Sequence, residues 1–368
     1  MKVVLTGAGG FLGWHTRLRL AALTDHEVVP VDRTSWAGLT EAVSDADAVI
    51  HIAGVNRADD DTVRQGNEDL ARDVAAAVSA SGRPVRVVYA NSIQDGNGTA
   101  YGIGKGRARE VLAASAEATG GSLVDVRLPN LFGEHGRPAY NSFVATFVHA
   151  VRDVSTPTVN DNTVGLLHAQ GAAASLLDGL TGDARRIDPG STPVTVREVL
   201  DLLQEFKASY DTGEIPDLST PFRVDLFNTY RAALFPEHYP IALTPHTDPR
   251  GTFVETIRVR GGEGQASFST TVPGITRGEH YHLRKIERFA VISGEARISL
   301  RRMFTDEVVD FDVTGEEPCA VDMPVGWVHN ITNTGADTLV TQFWSHELHR
   351  PEDPDTYPEP VRPQGASA

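Results

Sequence analysis

The stretch "VVLTGAGGFLG", residues 3 to 13, constrains the fold more than any other, because a short β-branched run passes straight into three spaced glycines and then into a helical pattern. Gly7, Gly10 and Gly13 allow a tight turn. They also let backbone N–H groups approach a pyrophosphate at a helix N-terminus, where the helix dipole favours negative charge. The following residues keep the same rhythm. Strand-like runs at 2–6, 26–32, 48–53, 85–91 and 122–128 alternate with helical patterns near 10–23, 67–81 and 100–119, as βαβ units on a parallel sheet require. Another helix is predicted over 195–206, where Thr195 and Glu198 stand in capping-box spacing.

After about residue 240 the pattern changes to short strands separated by Gly, Pro, Asp and Asn, with no helix of length between them. The reading is therefore α/β: a Rossmann-like doubly wound parallel sheet over 1–240, then an all-β barrel over 241–368. The boundary is placed in "FPEHYPIALTPHTDPRG" (235–251), which holds four prolines. The Pro-rich tail from Pro351 is expected to drape over the surface or fray.

Composition narrows the function. A formal net charge of −16, with no long run of lysine and arginine, argues against nucleic acid and anionic membrane surfaces. A small anionic ligand held by backbone amides and a few arginines fits. Cys319 is the sole cysteine, so no intramolecular disulfide is available. No apolar run approaches the length of a membrane-spanning helix, and Met1 leads at once into a strand, so a cytoplasmic location is expected.

Two further sets of residues carry chemistry in the first region. At the end of the second strand, Asp32 suits the ribose hydroxyls of NAD(H), whereas Arg33 suits the 2′-phosphate of NADP(H). Tyr101 and Lys105 stand four apart on one helix face. An ammonium beside the phenol is expected to lower its pKa, and Ser92 at a strand end adds a hydroxyl for the same substrate oxygen.

With "HIAG" at 51–54, these motifs resemble the extended short-chain dehydrogenase/reductase family. The resemblance implies catalytic roles for Ser92, Tyr101 and Lys105, the last two also touching the cofactor. It implies a cofactor site of Gly7, Gly10, Phe11, Leu12, Gly13, Asp32, Arg33, Ala53 and Gly54. "RLPNLFGE" and "YNSFVATF" look like that family's nucleotide-sugar contacts, which suggests Arg127, Asn130 and Asn141 as substrate ligands. The stretch "VGLLHAQGAAA" (164–174) lacks the acidic pattern usual there.

In the second region, "GITRGEHYHLRKIERFAVISGE" spaces Gly274, His280, His282, Glu287 and Gly294 so that two histidines share a strand face and a glutamate arrives from the next strand. "PVGWVHNITN" supplies His329. Together His280, His282, Glu287 and His329 would suit zinc, iron, manganese or a similar divalent ion. Zinc is the expectation.

The double motif resembles the cupin superfamily, a jelly-roll barrel, although Pro318 stands where the second motif usually has glycine. The order of the two regions, with "HIAGVNR", "DPRGTFVE", "MPVGWVHNI" and "DPDTY", is similar to the CapF-type bifunctional capsular polysaccharide synthesis enzymes over essentially the whole chain. That resemblance implies a UDP-linked 2-acetamido-2,6-dideoxy-hexos-4-ulose epimerised at C3 by the cupin. Reduction at C4 with NADPH then gives UDP-2-acetamido-2,6-dideoxy-L-talose, within N-acetyl-L-fucosamine synthesis. It also implies a homodimer. The acid and base of the cupin step are not assigned, His246, Lys285 and Glu279 being nearby candidates. Two other readings stay open: a single-activity ketoreductase with a structural cupin, and a non-catalytic sensor of NADP and a sugar nucleotide.

Overall fold

The computed structural model describes residues 1–363. The five expected strands of the first region form as β1 Lys2–Thr6, β2 Glu27–Val31, β3 Ala48–His51, β4 Arg86–Ser92 and β5 Ser122–Leu128. Between them run α1 Phe11–Leu23, α2 Leu39–Val43, α3 Asp60–Ser81 and α4 Ala100–Ala118. Helix α3 starts seven residues before the expected position. Its polar first turns show no apolar period, but the Asp59 side chain accepts from Thr62 N–H, and Asp60 and Asp61 complement the helix dipole.

The chain continues through β6 Asn130–Phe132, α5 Phe143–Arg152, β7 Thr163–His168, α6 Ala169–Asp178, β8 Arg186–Ile187 and β9 Thr192–Thr195. The main sheet has the order β2-β1-β3-β4-β5-β8, with every pair parallel. Central strands of such a sheet are covered on both faces, which explains why Val3, Val4, Leu5, Val49 and Ile50 are all fully buried. Each contributes about 1.5–3 kcal/mol of burial. Strand order reverses direction around β1, so the fold opens a crevice beyond the C-terminal ends of β1 and β3.

After β9 come α7 Val196–Tyr210, β10 Ile215–Asp217 and α8 Pro221–Ala232. The chain divides into two compact units, 1–146 with 160–196, and 147–159 with 197 onward. The division thus falls well before the Pro-rich segment at 235–251. Strand β10 pairs with β14, Val259–Gly261, and the buried Tyr210 hydroxyl donates to Asp322, so residues 197–240 pack with the β region. Periodicity reveals an element's type without revealing its partner.

Two five-stranded sheets make up most of the second unit. After β11 Ile241–Ala242, β12 Pro245–Asp248 and β13 Gly251–Val254 come β15 Gln265–Thr271, β16 Thr276–Tyr281, β17 Glu287–Ser293 and β18 Glu295–Arg302. These are followed by β19 Val308–Thr314, β20 Cys319–Met323, β21 Trp327–Asn333, β22 Leu339–Ser345 and β23 Tyr357–Pro358. The sheet orders are β11-β20-β17-β22-β15 and β19-β18-β21-β16-β23. One core takes Phe289 and Val291 from the first sheet and Ile298, Leu300, Trp327 and Ile331 from the second, as in a jelly roll.

Through residue 363 the tail, expected to drape over the surface or fray, is instead partly built into the barrel. Strand β23 pairs with β16, and Asp355 and Val361 are fully buried, while residues 364–368 lie outside the described part.

Candidate active site

In the first unit a cleft of about 1260 Å³ lies at the switch point of the sheet. Its floor is the glycine turn. Gly7 has φ +72°, and a Cβ there would lie 2.8 Å from the Ala53 nitrogen; a Cβ on Gly13 would lie 2.0 Å from the Gly7 carbonyl. No larger residue fits either position, and this packing brings the first turn of α1 against the cleft. Gly10, Phe11, Leu12, Ala53 and Gly54 line the same wall.

At the far end of β2 the two candidate specificity residues differ in what they touch. The Asp32 carboxylate accepts from Thr34 N–H, the Thr34 hydroxyl and Ser35 N–H, contacts that hold it below the usual carboxylate range. Arg33 is exposed beside it at the cleft, with no hydrogen bond or ion pair among the described residues. Trp36, on the next turn, lines the cleft with its indole N–H donated to Asp73.

Ser92, Tyr101 and Lys105 all face the cleft. Ser92 ends β4; Tyr101 and Lys105 lie in the first two turns of α4, which is capped by the Thr99 hydroxyl on Gly102 N–H. The structure does not show the lowered phenol expected from the sequence. Burial pushes Tyr101 up to about 12, with a hydrogen bond to Ser92 pulling the other way. Lys105 donates instead to the Ala90 carbonyl at 2.6 Å, and burial lowers its ammonium to about 7 against the opposing charges of Asp125 and Asp95.

Of the substrate candidates, Asn130 and Asn141 line the cleft. Arg127 does not. Its guanidinium donates to the Ile93 and Asp95 carbonyls and braces the loop after Ser92. Arg57, which the sequence reading passed over, donates to the Ala139 and Tyr140 carbonyls at 2.7 and 2.9 Å and pins the segment that carries Asn141.

In the second unit His280, His282, Glu287 and His329 converge, each offering one ligand atom within 4.8 Å of the others. The strands bring them together directly: His280 pairs with His329 across β16 and β21, a bulge at Gly278 turns the end of β16, and Glu287 opens β17.

The donor set fits a divalent cation. The Nδ1 atoms of His282 and His329 face the carbonyls of Asp355 and Trp327, which leaves both Nε2 atoms for the centre of the cluster. Those Nε2 atoms are buried without hydrogen-bond partners, although they lie 2.9 and 3.5 Å from the Glu287 carboxylate. Buried lone pairs crowded on a carboxylate call for a shared cation or proton.

Among the barrel's acid and base candidates, Lys285 lies beside the cluster, its Nζ 4.0 Å from a Glu287 carboxylate oxygen. Lys285 donates to the Pro354 carbonyl and the Thr356 hydroxyl; Glu279 accepts from Asn330 and Val361 N–H; His246 lies on the exposed β12 ribbon beside Phe253. Asp355 is the residue the sequence reading missed. Its buried carboxylate accepts from Leu283, Arg284 and Lys285 N–H, and its carbonyl holds His282. "DPDTY" carried the signal inside a stretch read as loose tail.

The NAD dependent epimerase/dehydratase family model matches residues 3–164, and the polysaccharide biosynthesis C-terminal domain matches 246–357. Fold and site thus define an NAD(P)-dependent enzyme of the nucleotide-sugar reductase and epimerase class, joined to a cupin barrel.

A UDP-2-acetamido-2,6-beta-L-arabino-hexul-4-ose reductase of Pseudomonas aeruginosa is 36% identical over 366 residues, covering 97% of this chain and 98% of that protein. The crystal structure of the capsular polysaccharide assembling protein CapF from Staphylococcus aureus matches with a TM-score of 0.63 at 33% identity, over 98% of this chain and 100% of that one. The spore coat polysaccharide biosynthesis protein SpsL of Bacillus subtilis is 28% identical over 122 residues, 31% of this chain and 81% of that protein. The chain belongs to the CapF family. No helix among the described residues is long and apolar enough to cross a membrane.

Proposed function

We propose that the two units act in sequence on one UDP-linked 2-acetamido-2,6-dideoxy-hexos-4-ulose. The barrel epimerises C3, and the cleft of the first unit reduces the C4 ketone with NADPH to UDP-2-acetamido-2,6-dideoxy-L-talose. The observation that carries this reading is the meeting of Ser92, Tyr101 and Lys105 in a cleft floored by a dinucleotide turn. The P. aeruginosa relative is named for reduction of a closely similar UDP-hexulose.

In the reduction, a bound nicotinamide supplies the hydride. Tyr101 delivers a proton to the ketone oxygen, and Ser92 fixes that oxygen by hydrogen bonding. The Lys105 ammonium stabilises the phenolate left behind. Asn130 and Asn141 orient the sugar nucleotide. Arg33, free where Asp32 is engaged by its own turn, favours NADPH over NADH.

In the epimerisation, His280, His282, Glu287 and His329 would hold a divalent ion, zinc suiting the set. Such an ion supplies Lewis acidity toward a ketone oxygen. The proton beside a ketone is acidic only while that oxygen's growing negative charge is stabilised, and reduction removes the ketone. Epimerisation therefore comes first.

The test is mass spectrometry of the UDP-hexos-4-ulose incubated with the protein in deuterated water, before and after NADPH is added. Deuterium gain before NADPH, then reduction, is expected. Reduction without prior exchange would make the barrel a scaffold and sink the two-step reading.

A further inference from the structure

Lys105 is almost completely buried, and among the described residues its ammonium has one hydrogen-bond acceptor, the Ala90 carbonyl, where it could use three. What faces it otherwise is the ring of Tyr89, whose centroid lies 4.4 Å from Nζ. Tyr89 does not line the cleft; it sits behind the wall, fully buried.

The parallel register explains how it comes to be there. Thr6, His51, Tyr89 and Asp125 are direct partners across β1, β3, β4 and β5, so their side chains form one row on the sheet face that α4 covers. The row is fixed at each step: the Thr6 hydroxyl bonds His51 Nδ1 at 2.8 Å, and the His51 ring stacks on Tyr89 at 5.6 Å and 18°. The Tyr89 hydroxyl donates to the Lys105 carbonyl at 3.4 Å.

The other charged or titratable groups facing Lys105 are Asp125 on β5, Asp95 in the loop after β4 and His51, with Tyr101 one turn earlier on its own helix and lining the same cleft. His51 stays neutral because burial and Lys105 lower it to about 3. Asp95 is shared with Arg109, and Asn91 donates to both Asp95 and Asp125, so neither carboxylate belongs to the lysine alone.

We propose that Tyr89 is a positioning residue for the reduction, its ring face carrying the buried Lys105 ammonium through a cation–π contact that keeps the lysine charged and aimed at the cleft. This rests on the reading of Lys105 as a member of the catalytic set. A desolvated ammonium over a ring face gains enough to matter for its ionisation.

The test replaces Tyr89 with phenylalanine and then with mono-, di- and trifluorinated phenylalanines, which keep the ring's size while draining charge from its face. The chain has only four lysines, so the ε-carbon NMR signals of the whole protein resolve Lys105, assigned by its loss in Lys105→Met. The Lys105 titration midpoint is expected to fall stepwise along the series, by about one pH unit in total. The alkaline limb of ketone reduction should fall with it.

A midpoint indifferent to fluorination would overturn the proposal, whatever the enzyme's activity. Reduction surviving in Lys105→Met, with the graded NMR shift intact, would instead overturn the catalytic role of Lys105 and with it the claim that Tyr89 serves the reaction.

Discussion

In the parallel-sheet unit the cleft is assembled from short pieces of chain: a turn at 7–13, the end of β4, and Tyr101 with Lys105 four residues apart on one helix. In the barrel the cluster is assembled across the fold. His329 reaches it from β21, 42 to 49 positions beyond the other three ligands, and the carbonyl that orients His282 lies 73 positions away. The two regions also treat buried charge differently. Burial lowers Lys105 against the scattered charges of Asp125 and Asp95, whereas the barrel's Glu287 is surrounded by histidines that, against its burial, hold it well below the usual carboxylate range. One site is preorganised by backbone; the other is preorganised by side chains.

The sharpest test of that contrast is whether the sites fail independently. Tyr101→Phe should lower ketone reduction by about 10²- to 10⁴-fold while deuterium exchange at C3 continues. His282→Ala should do the reverse, abolishing exchange and leaving NADPH binding intact. Measuring both activities in both variants settles the matter. Loss of both activities in either variant would mean that the regions are not separable.

Next comes the cost of burying an ammonium. In the folded protein Lys105 is lowered from 10.5 to about 7, so between those values the unfolded chain binds a proton that the folded one has released. Stability from this group therefore rises with pH through that window. Below about pH 7 the native state carries the full penalty of a buried ammonium. Lys105→Met should accordingly stabilise the cofactor-free protein by a few kcal/mol near neutral pH, with the gain fading toward pH 10. Denaturant melts at several pH values would check it. A methionine variant less stable than the parent throughout would show that the lysine's contacts outweigh its desolvation.

The same contrast sets what could be read in advance. That Ser92, Tyr101 and Lys105 meet beside the glycine turn was legible because the signals are local, and that His280, His282, Glu287 and His329 converge was legible from their placement on neighbouring strands. Long-range packing was not legible. The Pro-rich tail gave no apolar rhythm, yet Asp355 within it anchors three backbone N–H groups next to His282. Nor could the helices at 197–240 reveal that they pack with the barrel, since an amphipathic face does not name its partner. Arg127 failed for a related reason: a guanidinium at a strand end serves a loop's carbonyls as readily as a ligand.

Asp355 offers a smaller effect that probes the barrel's long-range assembly. Asp355→Ala removes the acceptor of three buried amides and loosens the carbonyl that fixes the His282 tautomer. It should weaken metal affinity by about 10- to 100-fold in competition with a chelator. Asp355→Asn keeps an acceptor oxygen and should recover part of the loss. Undiminished affinity in the alanine variant would show that the strands alone fix the ligands.

The smallest effect concerns the cleft's outer end, where Asp32 and Arg33 are adjacent but not equivalent. Asp32 serves the turn that follows β2, so Asp32→Ala should weaken NADH and NADPH alike by distorting that turn. Arg33 has no internal partner among the described residues, and its exposure limits what a charge contact with a 2′-phosphate contributes. Arg33→Ala should therefore cost about tenfold in NADPH affinity while leaving NADH nearly unchanged, as read by fluorescence titration of the two nicotinamides. Equal losses for both cofactors would mean that Arg33 supports the turn rather than the phosphate. The preference would then have to arise from the neighbouring wall, where Thr34, Trp36 and Asp73 also line the cleft.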